Sequence, residues 1–224
     1  MLLGKNVGQD GAILLSRIVD ASPPAKAHIA TLSKIGYDFN TAVSDIIDNS
    51  ITANAQNIYI EFELINHSAS LFIIDDGDGM IESDLIANMS IGCKDPSDDR
   101  TAGDLGRFGA GLKTASFSQA EILSVISSTK DTAIAASVWD KNIVKKTNRW
   151  DLKVLDPAEI VPLMPENYRS IEKGTIVRWD NITSIRHLSH SHDAQQQIDT
   201  LCAGLHSHVG LFFHRFLPKE GAVR

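Results

Sequence analysis

The sequence has few cysteines, no concentrated positive charge and no long apolar run. Its two cysteines in 224 residues, Cys93 and Cys202, cannot build a disulfide framework, and their spacing suits neither a zinc site nor a thioredoxin-type pair. Lys and Arg number 21 against 28 Asp and Glu, which gives a formal net charge of −7. Because no stretch gathers basic residues as a surface that tracks phosphate backbones does, we expect no direct nucleic-acid binding by this segment.

The shortage of apolar runs argues against a membrane span. No run approaches the roughly 20 apolar residues that a bilayer-spanning helix requires, and residues 1–20 lack the small-residue cleavage site of a signal peptide. The sequence also has no internal repeat, coiled-coil heptad or low-complexity tract. With 43% hydrophobic residues the chain can fill a proper core, so we predict a cytoplasmic protein without a membrane partner.

Hydrophobic periodicity and turn residues predict short strands and helices along the whole chain. Residues 57–64 alternate strictly between apolar and polar side chains, which is the pattern of a half-buried strand. Strands joined by turns, with helices before and between them, indicate an α+β fold, a two-layer sandwich with helices on one face of a mixed, mostly antiparallel sheet. Further strands are predicted at 70–74, 121–127, 132–139 and 175–179, and helices at 25–35, 39–53, 82–89, 112–120 and 193–213.

The predicted helix 39–53 separates its residue types by face. Its apolar side chains fall on one broad face that should pack on the sheet, while Asp45, Asp48, Asn49 and Thr52 fall on the opposite arc. A solvated face explains such a pattern in an ordinary helix, but carboxylates spaced i,i+3 repel each other and gain nothing in water. Beside a hard cation or an attacking water they would be useful, so this face is a candidate site.

A second candidate is the acidic turn Asp75-Asp76-Gly77-Asp78-Gly79, which directly follows a predicted strand. Its glycines permit positive φ and let a ligand approach the backbone. A carboxylate at a strand end can also accept a hydrogen bond from an exocyclic amine. A calcium loop is the competing interpretation, but the downstream Glu and the flanking helix pattern that it requires are missing.

A third candidate is the glycine cluster Gly106-Arg107-Phe108-Gly109-Ala110-Gly111, which runs into Leu112-Lys113 at the start of a predicted helix. Exposed backbone N–H groups and a cation at a helix N-terminus attract phosphate. Residues 93–105 before the cluster are polar and punctuated by glycine, which is typical of a mobile lid. An ordinary loop is the alternative, because a single glycine pattern of this kind often arises by chance.

The order and separations of these segments resemble the GHKL ATPases, a superfamily that includes DNA gyrase, the ninety-kilodalton heat-shock chaperone, sensor histidine kinases and the mismatch-repair clamp. The likeness extends from about Ile35 to Trp179 and implies a Bergerat-type ATP-binding fold. Residues 109–116 are most similar to the microrchidia-type ATPases and their bacterial relatives. Four boxes carry the resemblance, in chain order Asp45-Ile-Ile-Asp48-Asn49-Ser50, Asp75-x-Gly77-x-Gly79-Met80, Gly106 to Lys113, and Gly174-Thr175.

The resemblance implies a role for each matching residue. Asn49 would bind Mg²⁺ through its side-chain oxygen, Asp75 would accept the adenine amine, and Thr175 would join a water-mediated contact to the same base. Asp45 stands at the position of the general base that orients the attacking water. The remaining residues implied to bind ATP, with the glycine cluster and its lysine on the phosphates, are Gly77, Gly79, Met80, Gly106, Arg107, Phe108, Gly109, Ala110, Gly111, Leu112 and Lys113.

The sequence departs from the family pattern at two positions. Relatives usually carry Glu where Asp45 stands and an acidic residue where Thr52 stands. Because Asp is one methylene shorter, and a misplacement of about 1 Å can cost on the order of 100-fold in rate, hydrolysis would be slow or assisted by Asp48. The resemblance implies a slow magnesium-dependent ATPase that acts as a dimerising switch. A hydrolysis-deficient regulatory module that binds nucleotide is the alternative, and a histidine-kinase catalytic domain is a third, less similar, interpretation.

The domain division follows from the same likeness. Residues 1–24 are interpreted as an N-terminal segment and candidate dimer strap, 25–200 as the ATP-binding domain, and 201–224 as a terminal helix that begins a second domain. In relatives that second domain supplies a lysine to the γ-phosphate. We therefore expect an N-terminal fragment that binds ATP and ADP, hydrolyses ATP poorly alone, and forms ATP-dependent homodimers in the full-length protein.

Overall fold

A six-stranded sheet forms the centre of the computed structural model, which describes residues 6–7, 13–14, 21–65, 68–91, 111–185 and 191–217. In chain order the strands are β1 (Asn6–Val7), β2 (Ile13–Leu14), β3 (Ile58–Ile65), β4 (Ser68–Asp75), β5 (Ala120–Ser128), β6 (Ala135–Asp140), β7 (Lys153–Val154) and β8 (Gly174–Ile182). β1 and β2 pair only with each other, and the main sheet has the order β3-β4-β8-β5-β6-β7. Every neighbouring pair in it is antiparallel.

Seven α-helices lie in the described part of the chain, and local sequence explains several of their ends. Asp38 caps the second helix by accepting a hydrogen bond from the backbone N–H of Thr41 at 3.0 Å. Asp140 caps the fifth through Asn142 N at 2.7 Å, and Asn148 ends it in the left-handed conformation at φ 54°. The helices are α1 (Ala25–Leu32), α2 (Phe39–Thr52), α3 (Glu82–Met89), α4 (Gly111–Gln119), α5 (Lys141–Thr147), α6 (Pro157–Ile160) and α7 (Ser191–Phe212).

One face of the sheet packs against the longer helices. Ile73 of β4, Val125 of β5 and Val177 of β8 share one apolar core with residues of α1, α2, α3, α4 and α7. The indole N–H of Trp179 crosses this core and donates to Ser116 Oγ in α4 at 2.8 Å, so the buried ring has its polar atom satisfied. Among the described helices, none combines the length and apolar character required to cross a membrane. The predicted α+β class is confirmed, with the longer helices layered on one face of the sheet.

The other face of the sheet is covered by the segment between β7 and β8, which the sequence did not predict. Phe72 and Ile74 of β4 and Ile176 of β8 pack there against Ile160 and Met164. α5 and α6 were also missed, because helices of seven and four residues are too short to establish a 3.6-residue period. Both faces of the central strands are therefore buried. This packing holds in place the strand ends that carry the polar residues described below.

Candidate functional site

Three polar side chains form a row across the ends of β4, β8 and β5. Asp75 pairs with Thr175, and Thr175 pairs with Ser127. Side chains two residues apart in a strand point to the same face. The three polar residues are each two positions from Ile73, Val177 or Val125, which belong to the core under the helices, so they lie on the helix-facing side of the sheet. Their exposed fractions are 5%, 8% and 1%, so each must find hydrogen-bond partners inside the protein. We call these three residues the polar row.

Asp75 is held by hydrogen bonds to both carboxylate oxygens. Ser50 Oγ in α2 donates to Oδ2 at 2.8 Å, and the backbone N–H of Gly77 donates to Oδ1 at 2.9 Å. Burial raises the pKa of Asp75, and hydrogen bonds from Ser50, Gly77 and the Thr175 backbone N–H lower it in part. A carboxylate fixed in this buried position is a strong, directional acceptor for an N–H group of a ligand.

The other two carboxylates of the acidic turn are used to hold the turn itself. Asp76 accepts from the backbone N–H groups of Gln56 at 2.7 Å and Asn57 at 2.9 Å. Asp78 accepts from Asn54 Nδ2 at 2.6 Å and from Lys173 Nζ at 2.9 Å. The turn is thus fastened to the α2–β3 connection and to the residue before β8, and Asp75 is the one acidic residue in it that points into the polar row.

Two glycines let the turn and the start of β8 come this close. Gly79 has φ +69°, and a Cβ on it would overlap the carbonyl of Ser128. Gly174 has φ +130°, and a Cβ there would overlap the carbonyl of Asp75. Neither conformation nor distance suits another residue type. Both glycines are therefore required to bring Asp75, Thr175 and Ser127 together.

Ser127, which the sequence analysis did not single out, connects the acidic turn to β8 by hydrogen bonds. Its hydroxyl accepts from the backbone N–H of Met80 at 2.9 Å, donates to the carbonyl of Gly174 at 3.0 Å and lies 2.9 Å from Thr175 Oγ1. Ser50 was quoted in the first box without a role, yet it donates to Asp75. The available signal for Ser127 was a polar residue that breaks the apolar alternation at the end of a buried strand.

The acidic face of α2 meets the beginning of α4. Asp45 and Asp48 are half-buried and Asn49 is exposed. A Cβ built on Gly111, the first residue of α4, would lie 3.5 Å from Asp45 Oδ2. Asp45 of the first box thus lies close to Gly111, the first described residue of the third box.

The pKa values of both carboxylates on this face, Asp45 and Asp48, are raised. Burial raises the pKa of Asp45, and a hydrogen bond with Tyr37, which the sequence did not single out, lowers it in part. Burial also raises the pKa of Asp48, with a further increase from the negative charge of Asp45. Gln119 Nε2 at the end of α4 donates to the carbonyl of Tyr37 at 2.9 Å. Carboxylates with raised pKa values beside a helix start are suited to proton transfer.

Lys113 lies deep in the structure rather than on an open surface. Only 3% of it is exposed, and its ammonium donates to the carbonyls of Asn88 at 2.6 Å and Ser90 at 2.9 Å. These carbonyls are at the C-terminal end of α3, where the helix dipole favours a cation. Phosphate contact by Lys113 stays a prediction. Leu112 beside it packs on the core.

The remaining predicted phosphate-binding residues lie outside the described part of the chain, as do residues 93–105, the predicted lid. They are Gly106, Arg107, Phe108, Gly109 and Ala110.

Comparison with known families bears on the same residues. A family model described as histidine kinase-, DNA gyrase B-, and HSP90-like ATPase matches residues 37–175. The matched span begins at the tyrosine beside Asp45, contains the acidic turn and the whole of α4, and ends at Thr175. No curated protein matches the chain.

Proposed function

This chain belongs to the family of histidine kinase-, DNA gyrase B- and HSP90-like ATPases, and from that membership we propose that it binds Mg-ATP and hydrolyses it slowly. In this proposal the chain is a dimerising conformational switch within a larger protein: ATP binding lets two copies dimerise, and hydrolysis releases them. The observation that carries the nucleotide proposal is the polar row, because a buried and fixed carboxylate is a suitable acceptor for an exocyclic amine. The family supports the class of ligand, and the polar row is the proposed site of base recognition.

The adenine amine is proposed to bind at Asp75. Three of the carboxylate's acceptor positions are occupied, by Ser50, Gly77 and the Thr175 backbone N–H, and an ionised carboxylate offers about four. The capacity that is left suits a donor from the ligand. Thr175 lies opposite Asp75 in the sheet and is proposed to contact the same base through a water.

Asn49 is the proposed magnesium ligand. Its amide oxygen is a hard donor of the kind that Mg²⁺ takes, it is exposed, and it follows Asp45 by one turn of α2. In the described residues no three His, Cys, Asp or Glu side chains are grouped as a metal site. A magnesium ion here would therefore take most of its ligands from phosphates and water, as this ion commonly does in nucleotide sites. Bound there, it would neutralise phosphate charge.

Asp45 is the proposed general base. It lies beside the first residue of α4, the element that continues from the proposed phosphate-binding cluster, and burial raises its pKa toward the range useful for proton transfer. Tyr37 would limit the movement of this carboxylate. These features support hydrolysis, and the resemblance to GHKL ATPases supports the dimerisation.

A nucleotide-binding module without hydrolysis is the second candidate. The observation that favours it is the short side chain of Asp45, which draws the carboxylate back toward α2 by about one bond length compared with Glu. The two candidates share the polar row and differ only at Asp45. ATP binding should therefore be tested first, at the row.

Replacing Asp75 by Asn is expected to weaken ATP binding by about 1 to 3 kcal/mol, or roughly 5- to 150-fold. The amide brings a donor to a position where the adenine amine also donates. The fold should survive, because Ser50 Oγ also lies 3.3 Å from the carbonyl of Ile46 and can turn its proton there while it accepts from the new amide. Calorimetric titration with ATP measures the affinity, and circular dichroism confirms folding.

Asp78→Asn is the matched control for this change. It is the same substitution in the same turn, but Asp78 is exposed and bonds to Asn54 and Lys173. We expect it to bind ATP like the wild type. A folded Asp75→Asn variant with unchanged ATP affinity would remove Asp75 from base recognition.

A further inference from the structure

The Ser127 hydroxyl has three hydrogen-bond contacts, and it can be the donor in only one of them because it has one proton. Its Oγ lies 2.9 Å from the Met80 backbone nitrogen, 3.0 Å from the Gly174 carbonyl oxygen and 2.9 Å from Thr175 Oγ1. The side chain is 1% exposed, so solvent does not compete for these contacts. The directions of the three hydrogen bonds are therefore coupled.

Elementary donor and acceptor rules decide those directions. A backbone N–H can only donate and a carbonyl can only accept, whereas a serine hydroxyl has one proton and two lone pairs. The Met80 backbone N–H donates to one lone pair of Ser127. The Ser127 hydroxyl donates its own proton to the Gly174 carbonyl. All three contacts are hydrogen bonds at once only if Thr175 donates its own proton to the second lone pair of Ser127.

Thr175 is then left with lone pairs only. Its hydroxyl sits opposite Asp75 across the β4–β8 pair, so the two neighbouring side chains both present acceptors on the same side of the sheet. A base with an amino group at this position finds two acceptors, Asp75 and one lone pair of Thr175, and the other lone pair of Thr175 remains for the water proposed above. A base with an oxo group there faces only acceptors and can form no hydrogen bond with them.

We propose that Ser127 is a positioning residue for nucleobase selection. By accepting a hydrogen bond from the Thr175 hydroxyl, it leaves Asp75 and Thr175 with acceptors alone toward the base, and so favours a 6-amino purine over a 6-oxo purine. The inference rests on the proposed nucleotide function and adds a residue that acts through Thr175. Without Ser127 the Thr175 proton is free to turn toward the ligand and donate to an oxo group. The loss of the Met80 contact would weaken binding of either purine equally and cancels in the ratio of their affinities.

The test compares affinities for ATP and inosine triphosphate, which share the triphosphate and ribose and differ at position 6 and N1 of the purine. We expect the wild-type chain to prefer ATP and Ser127→Ala to lower that preference about tenfold, the worth of one hydrogen bond. Ser127→Cys, which keeps the size but bonds weakly, should change the preference in the same direction and serves if the alanine variant does not fold.

Two further variants separate positioning from general damage. Ser124→Ala removes a hydroxyl that is also 1% exposed in the same strand, but Ser124 pairs with Arg178 and points to the other face of the sheet. It should keep the full preference. In a Thr175→Val background, which has no hydroxyl to orient, Ser127→Ala should leave the ratio of affinities unchanged.

The outcomes distinguish this inference from the proposed function. A wild type that prefers ATP, with a preference that Ser127→Ala and Ser127→Cys leave intact, overturns the role of Ser127 alone. An equal change by Ser127→Ala with and without the Thr175 hydroxyl does the same, because the residue would then not act through Thr175. A wild type that binds neither nucleotide overturns both the inference and the function on which it rests.

Discussion

Replacing Asp45 by Asn is expected to lower the rate of single-turnover ATP hydrolysis about 100-fold or more, while ATP still binds. An amide of the same shape can keep the hydrogen bond with Tyr37 but cannot take a proton from the attacking water. The polar row, at which we propose that adenine binds, is left unchanged. Release of labelled phosphate, with protein in excess over ATP, measures the rate without requiring turnover.

Asp48→Asn is the matched control, since Asp48 is one turn away on α2, half-buried and also has a raised pKa. It should reduce the rate less than Asp45→Asn does. If Asp45→Asn hydrolyses at the wild-type rate and Asp48→Asn does not, the base is Asp48. A wild-type chain that binds ATP and releases no phosphate would favour the regulatory module over the ATPase.

Replacing Gly174 by Ala is expected to destabilise the protein by about 3 kcal/mol or more. The residue has φ +130°, a conformation that costs any other residue strain, and the new Cβ would overlap the carbonyl of Asp75. Relief requires β8 to move away from β4, which breaks the pairing of Thr175 with Asp75. Urea unfolding followed by circular dichroism measures the loss, and ATP affinity should fall with it.

Gly210→Ala provides the control for this substitution. Gly210 lies in α7, and a Cβ there meets nothing within 4 Å, so alanine should be neutral or stabilise by up to about 1 kcal/mol. An unfolding midpoint for Gly174→Ala equal to that of the wild type would mean that the β4–β8 junction is not built as described.

Elements defined by local signals were predicted well. The helix expected at 39–53 is Phe39–Thr52. It was predictable because its apolar period and its N-cap, Asp38, lie within one short segment of the sequence. The strand expected at 70–74 is Ser68–Asp75, and it was predictable for the same reason, since the turn that stops it follows directly in the sequence. Membership of the ATPase family was also predictable, from four boxes in fixed order.

Features that depend on long-range pairing could not be predicted. The polar row unites residues up to 100 positions apart, and only the strand register places Ser127 beside Thr175. Lys113 illustrates the same limit. Its position after a glycine cluster predicts phosphate binding, and the local pattern gave no sign that its ammonium also donates to the carbonyls of Asn88 and Ser90, which lie more than 20 positions earlier in the chain.

The central claim, that this chain binds Mg-ATP, is tested most directly by calorimetric titration of the chain with ATP in the presence and absence of Mg²⁺, for the wild type and for Asn49→Ala. We expect one ATP per wild-type chain, bound more tightly when Mg²⁺ is present, and an Asn49→Ala variant that still binds ATP but has lost the response to Mg²⁺. The absence of saturable ATP binding by the wild type would contradict the proposed function. An Asn49→Ala variant with the wild-type magnesium response would contradict its metal site.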